Sequence, residues 1–288
     1  MRHFTGCPAI ASAPYRNGGG QRPGDVSLAQ RNPLLTTRYR GAYPPCAGRR
    51  VRQIIIGIGG SATNDGGAGM AQALGAKLLT AEGQQIASGG GALETLARID
   101  LSELDSRLAD CRIDVACDVT NPLTGPQGAS AVFGPQKGAT AQMIDRLDSG
   151  LRHYARIIAR DLDIDVLSLE GGGAAGGMGA ALYAFCGAQL RPGIEIVTDA
   201  LQLAERVADA DLVITGEGRI DSQTIHGKVP VGVARVAKRF NVPVIGIAGS
   251  LTADVGVVHQ HGLDAVFSVL YTICTLMKRW PMPPPTCE

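Results

Sequence analysis

The sequence is poor in aromatic residues, carries almost no net charge and has no paired cysteine motif, and each shortage excludes a class of protein. Aromatic residues make up 4% of the chain and the formal net charge is +1. This composition argues against the basic, aromatic-rich surface of a nucleic-acid-binding protein. The seven cysteines show no C-x-x-C spacing and no Cys/His cluster, so neither zinc nor a disulfide framework is expected. Such cysteine usage is typical of the reducing cytoplasm.

A membrane segment, the Walker A pattern and the protein-kinase signatures are also missing. Residues 171–190 carry no charge, but seven of these twenty residues are glycine, which is typical of a glycine loop and a buried helix. The N-terminus shows no apolar stretch with a cleavage site. Gly227-Lys228 is followed by Val229, so the Walker A pattern is not formed, and the protein-kinase signatures do not occur.

The sequence does contain a regular alternation of short apolar strands and amphipathic helices. Hydrophobic residues make up 45% of the 288 residues, enough for one large or two ordinary domains. The alternation predicts an α/β fold with mostly parallel sheets and right-handed crossovers. The periodicity predicts a long helix over residues 141–162, strands over residues 194–197 and 212–215, and a polar loop over residues 216–222.

Both ends of the chain differ in character from residues 51–276. Residues 1–50 contain eight arginines, six prolines and a single acid, Asp25. This composition cannot bury enough apolar surface to offset its ordering entropy, so a disordered or poorly packed segment is expected. Residues 277–288 contain four prolines, which exclude a helix or a central strand.

The most informative stretch is residues 53–77, QIIIGIGGSATNDGGAGMAQALGAK, which is predicted to form a buried strand, a glycine-rich turn and a helix. Glycines let backbone N–H groups approach a phosphate, and a helix start adds further donors. The predicted phosphate and nucleotide ligands are Gly59, Gly60, Ser61, Thr63 and Gly67. A carboxylate beside a phosphate requires a cation between them, so Asp65 is predicted to bind Mg²⁺.

Two other interpretations of this stretch stay open at this point. Asn64 or Asp65 could cap the helix while the glycines form a tight turn. Gly57-x-Gly59-x-x-Ala62 also matches the dinucleotide fingerprint, which would indicate a nicotinamide-dependent oxidoreductase. That fingerprint expects an acid about 20 residues later at the end of a strand, whereas Glu82 is followed at once by Gly83 in a predicted turn.

Polar side chains follow several other predicted strands and are expected to converge on one rim of the sheet, where open α/β folds bind ligands. Their chemistry is that of phosphoryl transfer, which needs positioning and charge neutralisation more than covalent catalysis. An acid can accept the alcohol proton, lysines can balance the phosphoryl charge, and an arginine can hold a carboxylate in two bonds. The predicted catalytic residues are Asp221, Lys228 and Lys137, the substrate ligands Arg219 and Asn121, and the metal ligands Asp65, Asp118 and Glu217.

These motifs closely resemble those of the type-1 glycerate kinases. The matching phrases include IIIGIGGSATNDGGAGMAQALGAKL, VACDVTNPLTGPQGAS, FGPQKGA, GGGAAGGMGAAL and VITGEGRIDSQTIHGKVPVGVA, and together the matches cover residues 51–276 in order. The resemblance implies a cytoplasmic enzyme that uses ATP and Mg²⁺ to phosphorylate D-glycerate at its 2-hydroxyl. It also implies two α/β domains, one inserted in the other, and the composition indicates neither a nucleic-acid nor a membrane partner. Whether the chain forms a homo-oligomer stays open.

The chain also departs from the family pattern. The phrases like APDSFK and ADGGEGT that open family members do not occur here, and proline-rich sequence replaces the expected final helical region. We therefore expect a glycerate kinase fold with an incomplete N-terminal part, truncated or frame-shifted at both ends, and an activity impaired by the missing elements. A non-catalytic remnant that still binds nucleotide is the alternative from another functional class.

Overall fold

The computed structural model describes residues 9–12, 52–225 and 227–270. The chain divides between Ile196 and Val197 into two compact units. Apart from residues 9–12, the segments predicted to be atypical, 1–50 and 277–288, lie outside the described residues. The insertion of one domain within the other stays a prediction.

The described part alternates strands and helices, as the sequence predicts. The strands are β1 Ala9–Ser12, β2 Gln53–Gly57, β3 Lys77–Leu79, β4 Arg98–Asp100, β5 Arg112–Ala116, β6 Gln189–Arg191, β7 Val213–Ile220, β8 Val244–Leu251 and β9 Ala265–Ser268. The α-helices are α1 Ala68–Ala73, α2 Ala129–Phe133, α3 Ala141–Leu162, α4 Ala174–Cys186, α5 Gly193–Ala200, α6 Leu203–Val207 and α7 Val229–Lys238. Short 3₁₀ turns cover Gly90–Thr95, Ser106–Asp110, Pro135–Lys137, Ser222–Ile225 and Val255–His261.

The first unit is built on a parallel sheet with the strand order β1-β2-β5-β6. Ile54 pairs with Ile113 and Ile56 with Val115, and all four side chains are buried in one core. β3 and β4 form a separate antiparallel pair. Because β2 is a β-branched run flanked by other parallel strands, its residues serve as the rigid base from which the glycine turn leaves the sheet.

Helix α3 forms over the predicted residues because its apolar side chains recur every three to four positions. Leu147, Leu151, Tyr154 and Ile158 lie on one buried stripe, and burial of such a stripe stabilises a helix more than intrinsic propensity does. The Thr140 hydroxyl accepts a hydrogen bond from the Met143 N–H at 3.4 Å and so caps the start of the helix.

The second unit is a parallel sheet with the order β7-β8-β9. Val231, Ala234 and Ala237 of α7 are buried in its core with Val244 and Ala248 of β8. Together the two units confirm the predicted α/β class with mostly parallel strands. Within the described residues, no helix combines the length and the apolar composition needed to span a bilayer.

Two predicted elements are wrong. Residues 194–197 lie inside helix α5, because the Asp118 carboxylate accepts the Gly193 N–H at 2.8 Å at the start of this helix, and a short β-branched run does not by itself distinguish strand from helix. Most of residues 216–222 belongs to β7, which continues to Ile220. Its polar side chains therefore lie within a paired strand and not in a loop after it.

Candidate active site

A cavity of about 440 Å³ lies in the first unit, beyond the carboxyl ends of β2 and β5. This is the edge of a parallel sheet at which ligands bind. Its lining residues come from the glycine turn, the β5 end, the end of α2, the 3₁₀ turn before α3 and the start of α4: Gly57, Ile58, Gly59, Gly60, Ser61, Ala116, Cys117, Asp118, Val119, Phe133, Gln136, Lys137, Ala174 and Ala175. The cavity therefore combines open backbone, a hydroxyl, a carboxylate and an ammonium group.

The glycine turn presents its backbone to this cavity. Gly59 and Gly60 are exposed, and Gly60 adopts φ 68°, a left-handed conformation that glycine takes without steric cost. Within the described part of the chain, the N–H groups of Gly59, Gly60 and Ser61 donate no hydrogen bond. Three consecutive unpaired N–H groups at a cavity wall form the kind of concave donor set that holds an anion.

The Lys137 ammonium lies directly against this turn. Its Nζ donates to the Thr63 carbonyl at 2.6 Å and to the Ser61 Oγ at 3.2 Å. Burial lowers the pKa of Lys137 to about 8, although the nearby Asp65 carboxylate opposes this change. A partly buried ammonium beside open backbone donors gives the cavity a positive wall suited to phosphate.

Asp65 does not face the cavity. Its side chain is buried, and its two carboxylate oxygens accept the Gly67 N–H at 3.0 Å and the Gly69 N–H at 3.3 Å. Burial raises the pKa of Asp65, against the lowering effect of these backbone hydrogen bonds. The carboxylate thus accepts the N–H of Gly67, directly before α1, and that of Gly69 in its first turn, which favours the capping interpretation of this residue.

Two of the predicted phosphate ligands, Thr63 and Gly67, also lie away from the cavity lining. The Thr63 hydroxyl donates to the Ala175 carbonyl at 3.0 Å. A Cβ placed on Gly67 would lie 2.4 Å from the Ala181 Cβ, so this glycine allows close packing of α1 on α4. The dinucleotide fingerprint is likewise not formed, since seven residues separate Gly60 from the start of α1 at Ala68.

The second glycine loop, residues 171–179, overlaps the start of α4, where Ala175, Gly176 and Gly177 are non-helical, and it packs closely against the first. Gly66 N–H donates to the Gly176 carbonyl at 2.9 Å. A Cβ on Gly176 would lie 1.9 Å from the Thr63 carbonyl oxygen, and a Cβ on Gly177 would lie 2.6 Å from the Gly66 Cα. Ala175, directly before Gly176, adopts φ 54°, a strained value for alanine. The two loops therefore support each other behind the cavity.

This contact predicts a large loss of stability for Gly176→Ala. Gly176 has φ 72° and no room for a Cβ, so strain and overpacking together should lower the free energy of unfolding by about 3 kcal/mol or more. Gly83→Ala is the matched control, because Gly83 has a similar φ of 79° with no atom within 4 Å of its Cβ position. It should lose only about 1 kcal/mol. Urea unfolding of both variants measures the difference, and equal losses would contradict the close contact.

The β5 end places Asp118 at the cavity and directs Asn121 elsewhere. Asp118 is exposed and lines the cavity, while its Oδ1 accepts the Gly193 N–H. The Asn121 side-chain amide donates to the Gln127 carbonyl at 2.8 Å, and its own carbonyl accepts the Gly173 N–H at 3.0 Å. Asn121 is not among the lining residues, so its substrate role stays a prediction.

A second polar cluster lies in the second unit at the end of β7. Asp221 Oδ1 accepts from Lys228 Nζ at 3.4 Å, and Arg219 Nε lies 3.4 Å from Asp221 Oδ2. Burial by itself would raise the pKa of Asp221, but the Lys228 ammonium, a backbone hydrogen bond and the Arg219 charge outweigh it and lower the pKa. Asp221 is therefore ionised at neutral pH and can accept a proton or a cation.

Glu217 lies within β7, opposite Ala248 of β8. Its Oε2 is buried and has no hydrogen-bond partner in the described part of the chain. Among the described residues, no group of three or more His, Cys, Asp or Glu side chains is arranged to hold a metal ion. The metal roles of Asp65 and Glu217 stay predictions, and Asp118 is the predicted metal ligand that lines the cavity.

Among the predicted site residues, the structure brings Gly59, Gly60, Ser61, Asp118 and Lys137 to one cavity. Sequence reasoning missed Gln136, Phe133 and Ala175, which also line it. Gln136 could have been found, because it adjoins Lys137 in the same polar loop. Ala175 gives no such signal. Neither its positive φ nor its contacts in space can be read from an alanine in a glycine-rich sequence.

Comparison with known proteins identifies the family of the chain. The model of the glycerate kinase family matches residues 25–284. Glycerate 2-kinase of Escherichia coli (strain K12) is 64% identical over 259 residues, which are 87% of this chain and 66% of that protein. Glycerate kinase of Bacillus subtilis (strain 168) is 57% identical over 247 residues, 85% of this chain and 65% of that protein.

A solved structure supports the same assignment. A Salmonella typhimurium LT2 protein, whose crystal structure carries the designation glycerate kinase 2, superposes with a TM-score of 0.72 at 70% identity. The match covers 88% of this chain and 66% of that one. The chain thus spans just under two thirds of the length of these relatives. Because the family model covers most of the sequence and the identities are high, this chain belongs to the glycerate kinase family.

Proposed function

We propose that the chain is an ATP-dependent glycerate kinase that transfers the γ-phosphoryl group of ATP to the 2-hydroxyl of D-glycerate, giving 2-phosphoglycerate and ADP. The observation that carries the proposal is the cavity of the first unit, which is lined both by Lys137 and by the glycine turn, whose Gly59, Gly60 and Ser61 N–H groups donate no hydrogen bond within the described residues. The name of the E. coli relative, glycerate 2-kinase, supports the choice of hydroxyl.

The residues of the cavity would hold the phosphate tail of ATP. The N–H groups of Gly59, Gly60 and Ser61 donate to phosphate oxygens, and Lys137 adds a positive charge beside them. Lys137 is already bonded to the Thr63 carbonyl and the Ser61 hydroxyl, so its position is fixed before nucleotide binds. Fixed donors and charges lower the barrier to phosphoryl transfer because they do not reorganise during the reaction.

The cavity also suits a magnesium ion, because Mg²⁺ is commonly held by one or two carboxylates together with the phosphates of its substrate. Asp118 is exposed at the cavity and would be the protein ligand. An ion held by Asp118 would supply positive charge that offsets the charge of the phosphates. Asp65 would act indirectly, since its oxygens hold the N–H groups of Gly67 and Gly69.

Two side chains of the second unit have the chemistry that the acceptor substrate requires. Arg219 has the planar fork that binds a carboxylate in two bonds, and D-glycerate carries one carboxylate. In the proposed reaction the 2-hydroxyl oxygen forms a bond to the γ-phosphorus as the bond to the leaving ADP oxygen breaks, and the hydroxyl proton goes to a general base, for which the ionised Asp221 carboxylate has the required chemistry. Lys228, at 3.4 Å from Asp221, keeps this carboxylate ionised and ready to accept the proton.

The proposal is tested by measuring ADP formation with ATP and Mg²⁺ in the presence and absence of D-glycerate, and by identifying the product with ³¹P NMR. We expect glycerate-dependent ADP release and the signal of 2-phosphoglycerate. A 3-phosphoglycerate signal would overturn the choice of hydroxyl. Binding of ATP without glycerate-dependent ADP release would overturn the catalytic assignment and favour a non-catalytic nucleotide-binding protein.

The proposal also predicts how activity depends on pH. Since Lys137 has a pKa of about 8, it loses its charge as the pH rises through this value, and kcat/KM for ATP should fall with it. kcat/KM reports the ionisation of the free enzyme, so this midpoint should appear there. Lys137→Arg keeps a positive charge at all these pH values and should flatten the profile. A profile that falls equally in both proteins would exclude Lys137 as its source.

A further inference from the structure

A buried hydrogen bond joins the glycine turn to the helix that precedes Lys137. The Asn64 side-chain amide donates to the Ser130 Oγ at 2.9 Å. The exposed fractions are 2% for Asn64 and 0% for Ser130, so water does not compete for this bond. The bond spans 66 positions in sequence and connects two segments that both carry cavity residues.

On the helix side, Ser130 is rigidly connected to Lys137. Ser130 lies in α2, and its carbonyl accepts the Gly134 N–H at 3.0 Å; the Gly134 carbonyl in turn accepts the Lys137 N–H at 2.9 Å. A Cβ on Gly134 would lie 2.2 Å from the Ser130 carbonyl oxygen, so the chain turns tightly here. A shift of Ser130 would therefore carry the backbone of Lys137 with it.

On the turn side, Asn64 directly follows Thr63, whose carbonyl accepts from Lys137 Nζ at 2.6 Å. Two contacts thus connect the same two segments: Asn64 with Ser130, and Thr63 with Lys137. The first contact is buried and holds the segments together. The second brings the ammonium to the edge of the cavity.

A contribution to the stability of the fold does not explain why Asn64 and Ser130 are polar. The Asn64 Oδ1 is buried and has no hydrogen-bond partner in the described part of the chain, and an unsatisfied buried acceptor is costly. Two apolar side chains of similar shape would fill the same space without that cost. A directional bond, unlike an apolar contact, fixes the distance between its two segments.

We infer that Asn64 and Ser130 are positioning residues that fix the Lys137 ammonium against the glycine turn. The expected effect on kcat/KM rests on the proposed function. The positioning of Lys137 is a property of the chain without ligand and does not depend on that function. Lys137 touches the substrate in this account, whereas Asn64 and Ser130 act through it.

The test compares Ser130→Ala with the double variant Asn64→Leu/Ser130→Ala. Ser130→Ala leaves the Asn64 amide buried without an acceptor and should lower the thermal midpoint of unfolding. The double variant removes both polar groups and should recover most of that midpoint. If the pair positions Lys137, both variants should lose at least about tenfold in kcat/KM for ATP, since small displacements of a catalytic group have effects of this size or larger.

A second measurement follows Lys137 itself and needs no activity. The lysines are labelled by reductive ¹³C-methylation, the Lys137 signal is identified by its loss in Lys137→Arg, and its titration is followed by NMR. Its midpoint should be about 8 in the parent and should move upward, toward the ordinary value of 10.5, in both variants as the amine gains solvent. Leu108→Ala, which truncates a buried core side chain, is the control that loses stability without moving this midpoint.

The outcomes separate the inference from the proposed function. A double variant with the parent's titration midpoint and the parent's kcat/KM would show that the pair is merely structural and would overturn the inference. If the parent shows no glycerate-dependent turnover, the proposed function fails, and the titration still decides whether Asn64 and Ser130 position Lys137.

Discussion

Replacing Lys137 with methionine is expected to lower kcat/KM for ATP by about a thousandfold while the protein stays folded. The ammonium contributes charge beside the glycine turn, and removing one preorganised electrostatic group from an active site typically costs about 10²- to 10³-fold in rate. Methionine keeps the aliphatic length of the side chain, so its packing changes little. Because burial lowers the pKa of Lys137, the charged amine lowers the stability of the folded state. Its removal should therefore not destabilise the chain.

The lowered pKa of Lys137 also predicts how the stability of the folded protein changes with pH, and this change serves as a control. Between pH 8 and 10.5 the unfolded chain binds the Lys137 proton and the folded chain does not, so the parent should gain stability as the pH rises through this window. Lys137→Met should lack this gain. Lys77→Met serves as the activity control, because Lys77 pairs with Glu103 at the surface and lies outside the cavity lining. A comparable loss of activity in both variants would contradict the role of Lys137.

Replacing Asp118 is expected to raise the Mg²⁺ concentration needed for half-maximal rate by on the order of a hundredfold, because the cavity loses its carboxylate ligand. Asp118→Asn and Asp118→Ala separate this role from the hydrogen bond to Gly193. The Asn side chain keeps an oxygen that can accept the Gly193 N–H, whereas Ala removes it. Steady-state rates over a range of Mg²⁺ concentrations measure the expected effect in both variants.

Hydrogen exchange then isolates the second role of Asp118. The Gly193 N–H begins α5 and donates to Asp118 at 2.8 Å, so only Asp118→Ala should lose protection at the start of this helix. If Asp118→Asn keeps the parent's Mg²⁺ dependence, the carboxylate is not the metal ligand. If both variants lose protection equally, the capping bond is not what orders the helix start.

The sequence predicted the parts of the fold that depend on repeated local patterns. Helix α3 covers the predicted residues because four apolar side chains share one stripe, and β2 follows a run of isoleucines. The strand predicted over residues 194–197 is wrong because the sequence IEIV suits a strand or a helix equally. Two contacts favour the helix: the Pro192 carbonyl accepts the Glu195 N–H at 3.0 Å, and the distant Asp118 accepts the Gly193 N–H.

The candidate site was predictable only in part, for a related reason. Gly59, Gly60 and Ser61 follow a buried strand directly, so their place at the sheet edge follows from the order of the chain. Thr63 and Asp65 are of equally suitable residue types, but the Thr63 hydroxyl bonds to the distant Ala175 carbonyl, and the buried Asp65 carboxylate bonds to the nearby N–H groups of Gly67 and Gly69. A residue type shows what a side chain can bind, whereas its burial depends on contacts far along the sequence.

The second glycine loop illustrates the same limit. GGGAAGGMG has the composition of a ligand-binding loop, yet Gly176 and Gly177 are glycines because the Thr63 carbonyl and the Gly66 backbone occupy the space where a Cβ would lie. Because glycine has no side chain, it allows both close packing of the backbone and close approach of a ligand. Only the positions of the neighbouring atoms distinguish the two uses.

The central claim, that the cavity of the first unit holds the phosphate tail of ATP, is tested most directly by a crystal structure of the chain with a non-hydrolysable ATP analogue and Mn²⁺. The account predicts phosphate oxygens within hydrogen-bond distance of the Gly59, Gly60 and Ser61 N–H groups and of Lys137 Nζ, with the anomalous peak of Mn²⁺ beside Asp118. Phosphates bound at any other place, with this cavity left open, would contradict it.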